Sequence, residues 1–406
     1  MIDPAYQKRL AKRYAAERRF RAYGLVALAL TSVFLLYLLV DIVAKGWPAF
    51  VEHRATFDVT LDAGQIDKAN PAAADYSTLV KNAWREQFPD MTTRVDRKQL
   101  AALLSQDAAE NLREQVNANP DLIGQTVKAD VLLSDDADLY FKGLSQEADT
   151  TLLEKVRDKI EVTRHFSWRL FSNGDSREPE LAGLRGAIVG SLLTVVIALA
   201  LGLPLGIAAA IYLEEFAAKN RWTDLIEVNI NNLAAVPSII FGLLGLAMFL
   251  NLFGMPRSAP LVGGLVLALL VLPTIIIAAR AAVRAVPPSI KEAALGVGAS
   301  HQQAVFHHVL PLAVPGILTG AILGLARAFG ETAPLLMIGM VAFIADVPKS
   351  FTDAATVLPV QIYLWSDLPE LGFQSKTAAA IMVLITILFF LNGIAIYLRK
   401  KFERRW

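Results

Sequence analysis

Hydrophobic positions gather in six blocks along the chain, at 23–43, 184–212, 225–250, 260–282, 312–343 and 377–398. Each is long enough for the about 20 apolar residues that a helix needs to cross the bilayer core. Between the first and second blocks, residues 45–183 return to the mixture of an ordinary soluble domain, with acids outnumbering bases. There 97–116 carries Leu100, Leu103, Leu104, Leu112 and Val116 near helical spacing, which predicts an amphipathic helix. Residues 151–171 are a second helical candidate, and 126–141 reads as strand. The pattern predicts an all-α polytopic membrane protein of six transmembrane helices, with a mixed α+β domain between helices 1 and 2.

Charge orients these spans. Lys8, Arg9, Lys12, Arg13, Arg18, Arg19 and Arg21 precede the first block and hold residues 1–22 in the cytoplasm by the positive-inside rule. A cleaved signal peptide is the competing reading. Its apolar stretch runs only about 7–15 residues and ends at a small-residue cleavage site, whereas Ala44-Lys45-Gly46-Trp47-Pro48 is a poor one. An uncleaved anchor over 23–44 is therefore expected. Alternation then puts 213–224, 283–311 and 399–406 inside, where Lys219, Arg221, Arg284, Lys291, Arg399, Lys400, Lys401, Arg404 and Arg405 lie. The loops at 251–259 and 344–376 fall outside and have few bases, and the same alternation puts the 45–183 domain outside the membrane, in the periplasm. Both termini are expected in the cytoplasm of a bacterial inner-membrane protein.

Composition narrows the chemistry. Of the 406 residues 54% are hydrophobic and 19% charged, below the about 25% charged residues of soluble proteins. A net charge of +1 gives no reason to expect nucleic acid. The absence of cysteine excludes disulfides, thiolate metal sites and a cysteine nucleophile. No Gly-Lys-Ser/Thr phosphate loop, Gly-x-Ser-x-Gly elbow or metalloprotease helix occurs. His301, His307 and His308 have no acid completing a metal set and read as polar surface. Neither an enzyme nor a cofactor-binding protein is expected.

The most specific stretch is Glu292-Ala293-Ala294, then Gly298, then Leu310-Pro311. Pro287-Pro288 ends one helix and starts another, Ser300 can cap a second, and Pro311 is expected to open the next span. Two short helices joined at a glycine make a rigid knob at 288–311. The segment resembles the EAA loop of ABC-importer permeases, apart from His308, where that family usually has a branched aliphatic residue. The stretches Asn232-Leu233-Ala234-Ala235-Val236-Pro237-Ser238 and Ala326-Arg327-Ala328-Phe329-Gly330-Glu331-Thr332 resemble signatures of phosphate-importer permeases of the PstA type. This resemblance covers 184–398 and implies a MetI-like core of five helices. It also implies ATPase docking at Glu292, Ala293, Ala294, Gly298, Leu310 and Pro311. The implied partners are a second, PstC-type permease, two PstB-type ATPases that use the ATP, and a PstS-type periplasmic phosphate-binding protein.

The candidate substrate pathway comprises Arg327, Glu331, Thr332, Ser238, Asn232 and Arg280. Arg327 and Glu331 are four apart, so one helix face would carry both, as a structural ion pair or as an anion step. Gly316, Gly320, Gly324 and Ala328 form a small-residue stripe expected to pack helices. Pro237-Ser238 mid-block reads as a kink, or as freed backbone N–H groups that favour an anion. Arg280 and Arg284 read as interfacial anchors or as part of the route. Asn229, Asn231 and Asn232 line a polar route or bond to neighbouring helices. Another oxyanion (molybdate, sulfate or phosphonate) is the alternative cargo, and a sensor or scaffold built on the 45–183 domain is the alternative class.

Overall fold

A computed structural model describes residues 4–68, 70–145 and 150–402. Arg404, Arg405 and the side chains of Lys8 and Arg9 lie outside what is described. Helix α1 runs Pro4–Gly46, and its apolar stretch is unburied, with Phe20, Leu28, Phe34 and Tyr37 all exposed. It meets the rest of the protein near Gly46, where an added Cβ would sit 2.7 Å from Met382 Sδ.

The polar region folds around a three-stranded antiparallel sheet in the order β2-β1-β3, with β1 Val51–Thr60, β2 Thr126–Leu132 and β3 Glu161–Phe166. Strand β1 alternates, burying Ala55, Phe57 and Val59, the period of a sheet with one covered face. Helices α2 Tyr76–Glu86, α3 Arg94–Ala102 and α4 Glu110–Ala118 surround a core that includes Trp84, Phe88 and Leu100. The indole of Trp84 donates to Leu100 O at 2.9 Å, so the buried N–H is satisfied. The expected single helix over 97–116 is thus two, because Ser105-Gln106-Asp107 interrupts it. The strand expected at 126–141 turns after Leu132 into α5 Asp135–Phe141. The helix expected at 151–171 is α6 Thr151–Lys159, then β3, then α7 Arg169–Ser172.

The apolar blocks form α8 Arg185–Ile211, a pair α9 Arg221–Ala234 and α10 Ser238–Gly245, then α11 Pro260–Arg284. After α12 Pro288–Gly296 and α13 His301–Ala304 come α14 Leu310–Gly330 and α15 Ala333–Met337. A short α16 Leu358–Ser366 leads to α17 Leu371–Phe402. Five helices are long and apolar enough to span a membrane, and the α9–α10 pair supplies a sixth if its two arms, bent by 100°, are one crossing. The apolar stretch of α11 is 61% buried, the most of the five; it is the centre of the bundle, flanked by α8 and α14. The glycine stripe explains the second contact. A Cβ on Gly316 would lie 2.6 Å from Ala282 Cβ, and Gly320 faces Ala278 as closely, so α14 approaches α11 where larger residues would not fit.

Helix α8 starts beside α7 of the sheet domain, and the π turn at its far end meets α11, α12 and α13, so the domain and the α12–α13 knob sit at opposite ends of α8. The domain is tied to the bundle where the Trp365 indole of α16 donates to Asp175 Oδ1 at 2.9 Å and where Gly372 of α17 packs closely on Asp135. Beside them a cavity of about 20 Å³, room for one water, is lined by Glu52, Asp135, Asp138, Lys142, Glu180 and Lys376. Lys376 is buried and donates to Ala182 O.

Candidate functional site: two interrupted helices and a charged joint

Helix α14 does not run through the whole 312–343 block. It stops at Gly330, and Glu331 has extended backbone (φ −82°, ψ 127°). Arg327 and Glu331 therefore do not share one helix face, and among the described residues no ion pair joins them. The four-residue spacing held only if the helix continued, and Gly330 followed by Pro334 ends it. Arg327 instead reaches α11, its Nη1 3.4 Å from Thr274 Oγ1. Thr274 lies about 21 Å from the start of α11 at 1.5 Å per residue, so Arg327 sits at mid-depth. Among the described residues no carboxylate oxygen lies within 4.0 Å of it.

A second interruption lies alongside. The α9–α10 pair breaks at Ala235-Val236-Pro237 with a 100° change of direction, far more than a proline kink. The two interruptions are connected by packing: a Cβ on Gly242 of α10 would lie 2.6 Å from Pro334 Cα in α15. The structure thus brings Arg327, half-buried Glu331 and Thr332, and half-buried Ser238 to two adjoining helix breaks. Irregular backbone at membrane depth occurs where it is buried in protein or lines a cavity. Asn232 is exposed on α9, and Asn229 bonds to Leu225 O at 2.8 Å within its own helix.

Arg280 is elsewhere, about 9 Å farther along α11 and toward the knob. It is no snorkelling anchor, since it is 7% exposed. Its Nε lies 2.5 Å from Glu214 Oε1 and its Nη2 2.5 Å from Glu227 Oε1. Arg284 holds the other oxygen of Glu214 at 2.6 Å. With Asn231 these arginines line an open vestibule. Glu214, Glu215 and Glu227 were not singled out from sequence. The signal was present, because two acids end an apolar block where the other inner loop ends carry bases.

The knob forms as its residues predict. Gly298 takes φ +91°, a conformation that L side chains rarely adopt, and Ser300 with Gln303 forms a reciprocal cap. Two expectations fail. Helix α13 continues through a π turn, Val305–Val309, into α14 as one span, His301–Gly330, so Leu310 and Pro311 lie within it and do not open it. Ala294 is 5% exposed and faces inward. Glu292, Ala293 and Gly298 are exposed, together with Leu295, Phe306 and Val297, which is 88% exposed. Among the histidines, His301 shares a hydrogen bond with Glu215 O at 2.7 Å.

The family described as "Binding-protein-dependent transport system inner membrane component" matches residues 202–404, and "Domain of unknown function (DUF3333)" matches 7–150. "Probable ABC transporter permease protein YqgI" of Bacillus subtilis is 38% identical over 178 residues, 44% of this chain and 60% of that protein. "Phosphate transport system permease protein PstA 1" of Mycobacterium tuberculosis is 31% identical over 57% of this chain and 76% of its own length. The PstA of Yersinia pestis is 33% identical over 54% and 74%. Among solved structures, the inward-facing MetNI methionine ABC transporter aligns with 54% of this chain and 96% of its own, at 18% identity and a TM-score of 0.43.

Proposed function

The chain belongs to the binding-protein-dependent transport inner-membrane component family, and on that premise we propose that it is the permease subunit through which an ATP-driven importer passes phosphate. It is a multi-pass inner-membrane protein of the ABC-permease class. The observation that carries the phosphate reading is Arg327, a guanidinium at mid-depth beside two helix breaks, with no carboxylate within ion-pair distance among the described residues. Placing such a charge there costs at least about 2.5–3.5 kcal/mol on insertion scales. A planar fork of donors matched to oxyanion geometry is a function that offsets that cost. The PstA relatives support phosphate as the anion.

In this reading the knob side faces the cytoplasm, in keeping with the bases at the ends of α11 and α17, and the sheet domain faces outward. ATP is hydrolysed by PstB-type subunits seated on the exposed Glu292, Leu295 and Val297 surface. A PstC-type permease completes the pore, and a PstS-type protein delivers phosphate. Alternating access opens the Arg327 region to one side and then the other. Radiolabelled phosphate uptake by the assembled complex, competed with molybdate, sulfate and phosphonate, tests the reading. Arg327→Gln should abolish uptake while assembly and ATP hydrolysis persist, and phosphate should outcompete the other oxyanions. Wild-type uptake by the Arg327→Gln complex would remove the residue from the pathway.

A further inference from the structure

The knob touches the rest of the bundle through two consecutive glutamates at the end of α8. There the helix passes into a π turn, Tyr212–Phe216, and consecutive side chains on it face different neighbours. Glu214 turns to α11, where its two oxygens are held separately by Arg280 and Arg284. Glu215 turns to the knob, where Lys291 Nζ of α12 lies 2.5 Å from its Oε2. The backbone carbonyl of Glu215 meets His301 at the start of α13, and the Phe216 ring stands edge-on to the same imidazole at 5.0 Å. Both carboxylates have side-chain exposures near 10%, so water and salt screen these pairs weakly.

Chain continuity already links the knob to α11 through 285–287 and to α14 through Val305–Val309. Neither stretch of chain is joined to α9, the arm that leads into the break at Ala235-Val236-Pro237, and α9 otherwise meets α11 by packing. The ion pairs do reach it: Lys291 to Glu215, then Glu214 to Arg280, and Arg280 Nη2 to Glu227 of α9 at 2.5 Å.

We propose that Glu214, Glu215 and Glu227 are positioning residues of the transport step, forming a charged relay that carries displacement of the knob to α9 and so to the helix break beside Arg327. The relay rests on the reading that separate ATPases drive the knob, but not on phosphate being the cargo. A rigid chain of charge-assisted contacts with two arrangements is the physical basis for such coupling, and removing its last link should free α9 while leaving the knob seated.

The experiment uses the complete importer in proteoliposomes. One cysteine replaces exposed Ala235 at the break, in a chain with no cysteine of its own. Thiol labelling at that position should change rate on ATP addition in the otherwise wild-type complex. With Glu227→Gln, ATP hydrolysis should continue while the ATP-dependent change in labelling is lost. Transport per ATP should fall about 5- to 150-fold, the span of an ordinary coupling between sites. Glu215→Lys should uncouple in the same way, and adding Lys291→Glu should restore the labelling response. A merely structural role would lower hydrolysis, labelling response and uptake together. That result, an unchanged response in Glu227→Gln, or no ATP response in the otherwise wild-type complex would each overturn the relay. Absence of phosphate uptake by a complex whose labelling responds to ATP would instead sink the phosphate reading and leave the relay standing.

Discussion

The bundle is joined to an appended unit at each end, and both joints are made of buried charge, yet they are built differently. At the knob end the charges alternate, with each carboxylate of Glu214 and Glu215 facing Arg280, Arg284 or Lys291. At the domain end acids crowd one another. Burial first, then the neighbouring Glu180, Asp138 and Asp136, push the Asp135 carboxyl up to about 7. Burial likewise raises Glu180. In the balanced joint every carboxylate has a cation beside it, as the proposed relay requires. In the crowded joint, burial and like charge favour a protonated Asp135 even with Lys142 beside it, so its contribution to stability depends on pH.

Comparing the joints first requires that they face different compartments, and the test is all-or-none. Lys98→Cys on the domain should label with an impermeant thiol reagent in outer-permeabilised cells, and Lys219→Cys should not. The opposite pattern would invert the assignment of the two ends. Next in size, Glu214→Gln leaves buried Arg280 and its neighbour Arg284 without their shared carboxylate. It should destabilise the permease, but by less than the about 3–5 kcal/mol of a fully broken buried pair, because Glu227 still holds Arg280 and Arg284 reaches solvent. A lowered unfolding temperature in detergent reads the loss.

The domain-end joint should respond by degree. Folded Asp135 keeps its proton up to about pH 7, while the unfolded chain releases it near the ordinary 3.8. The folded form binds more protons between those values, so stability falls as pH rises across that window and levels off above it. Protease resistance of the domain should therefore decline from about pH 4 to pH 7, and Asp135→Asn should flatten the decline. A wild-type profile as flat as that of the variant would erase the contrast between the joints. The smallest effect is expected within the knob. Ser300→Ala removes one side of the cap and should cost about 1 kcal/mol, visible as a slight loss of assembled ATPase.

The two joints also differ in how far they could be read from the chain. The glycine stripe, the Ser300 cap and the Gly298 turn are local, and each appears where its residues predicted it. Strand β1 was legible too, through the alternation of Ala55, Phe57 and Val59, but was passed over between a span and a helix-rich stretch. The joints depend on partners far apart in the chain, such as Arg280 with Glu214, 66 positions away, and Trp365 with Asp175, 190 positions away, which no local period encodes. The Arg327–Glu331 pair failed for the opposite reason. A local rule was applied across Gly330, where the helix it assumed had ended. The break at Pro237 was foreseeable as a break, but its 100° angle was not, because it depends on what packs against each arm.

Helix α1 is 43 residues long, about 64 Å at 1.5 Å per residue, against a bilayer of about 40–45 Å with its headgroups. It meets the bundle near Gly46 and is exposed along its apolar length. Its apolar part, residues 23–43, is about 31 Å long and matches a hydrocarbon core of about 30 Å, so the excess length is the basic segment that precedes it. The sheet domain begins five residues beyond Gly46. The 19 residues from Pro4 to Ala22 thus extend about 28 Å past the hydrocarbon core as a basic helical stalk, at the end of α1 away from the sheet domain.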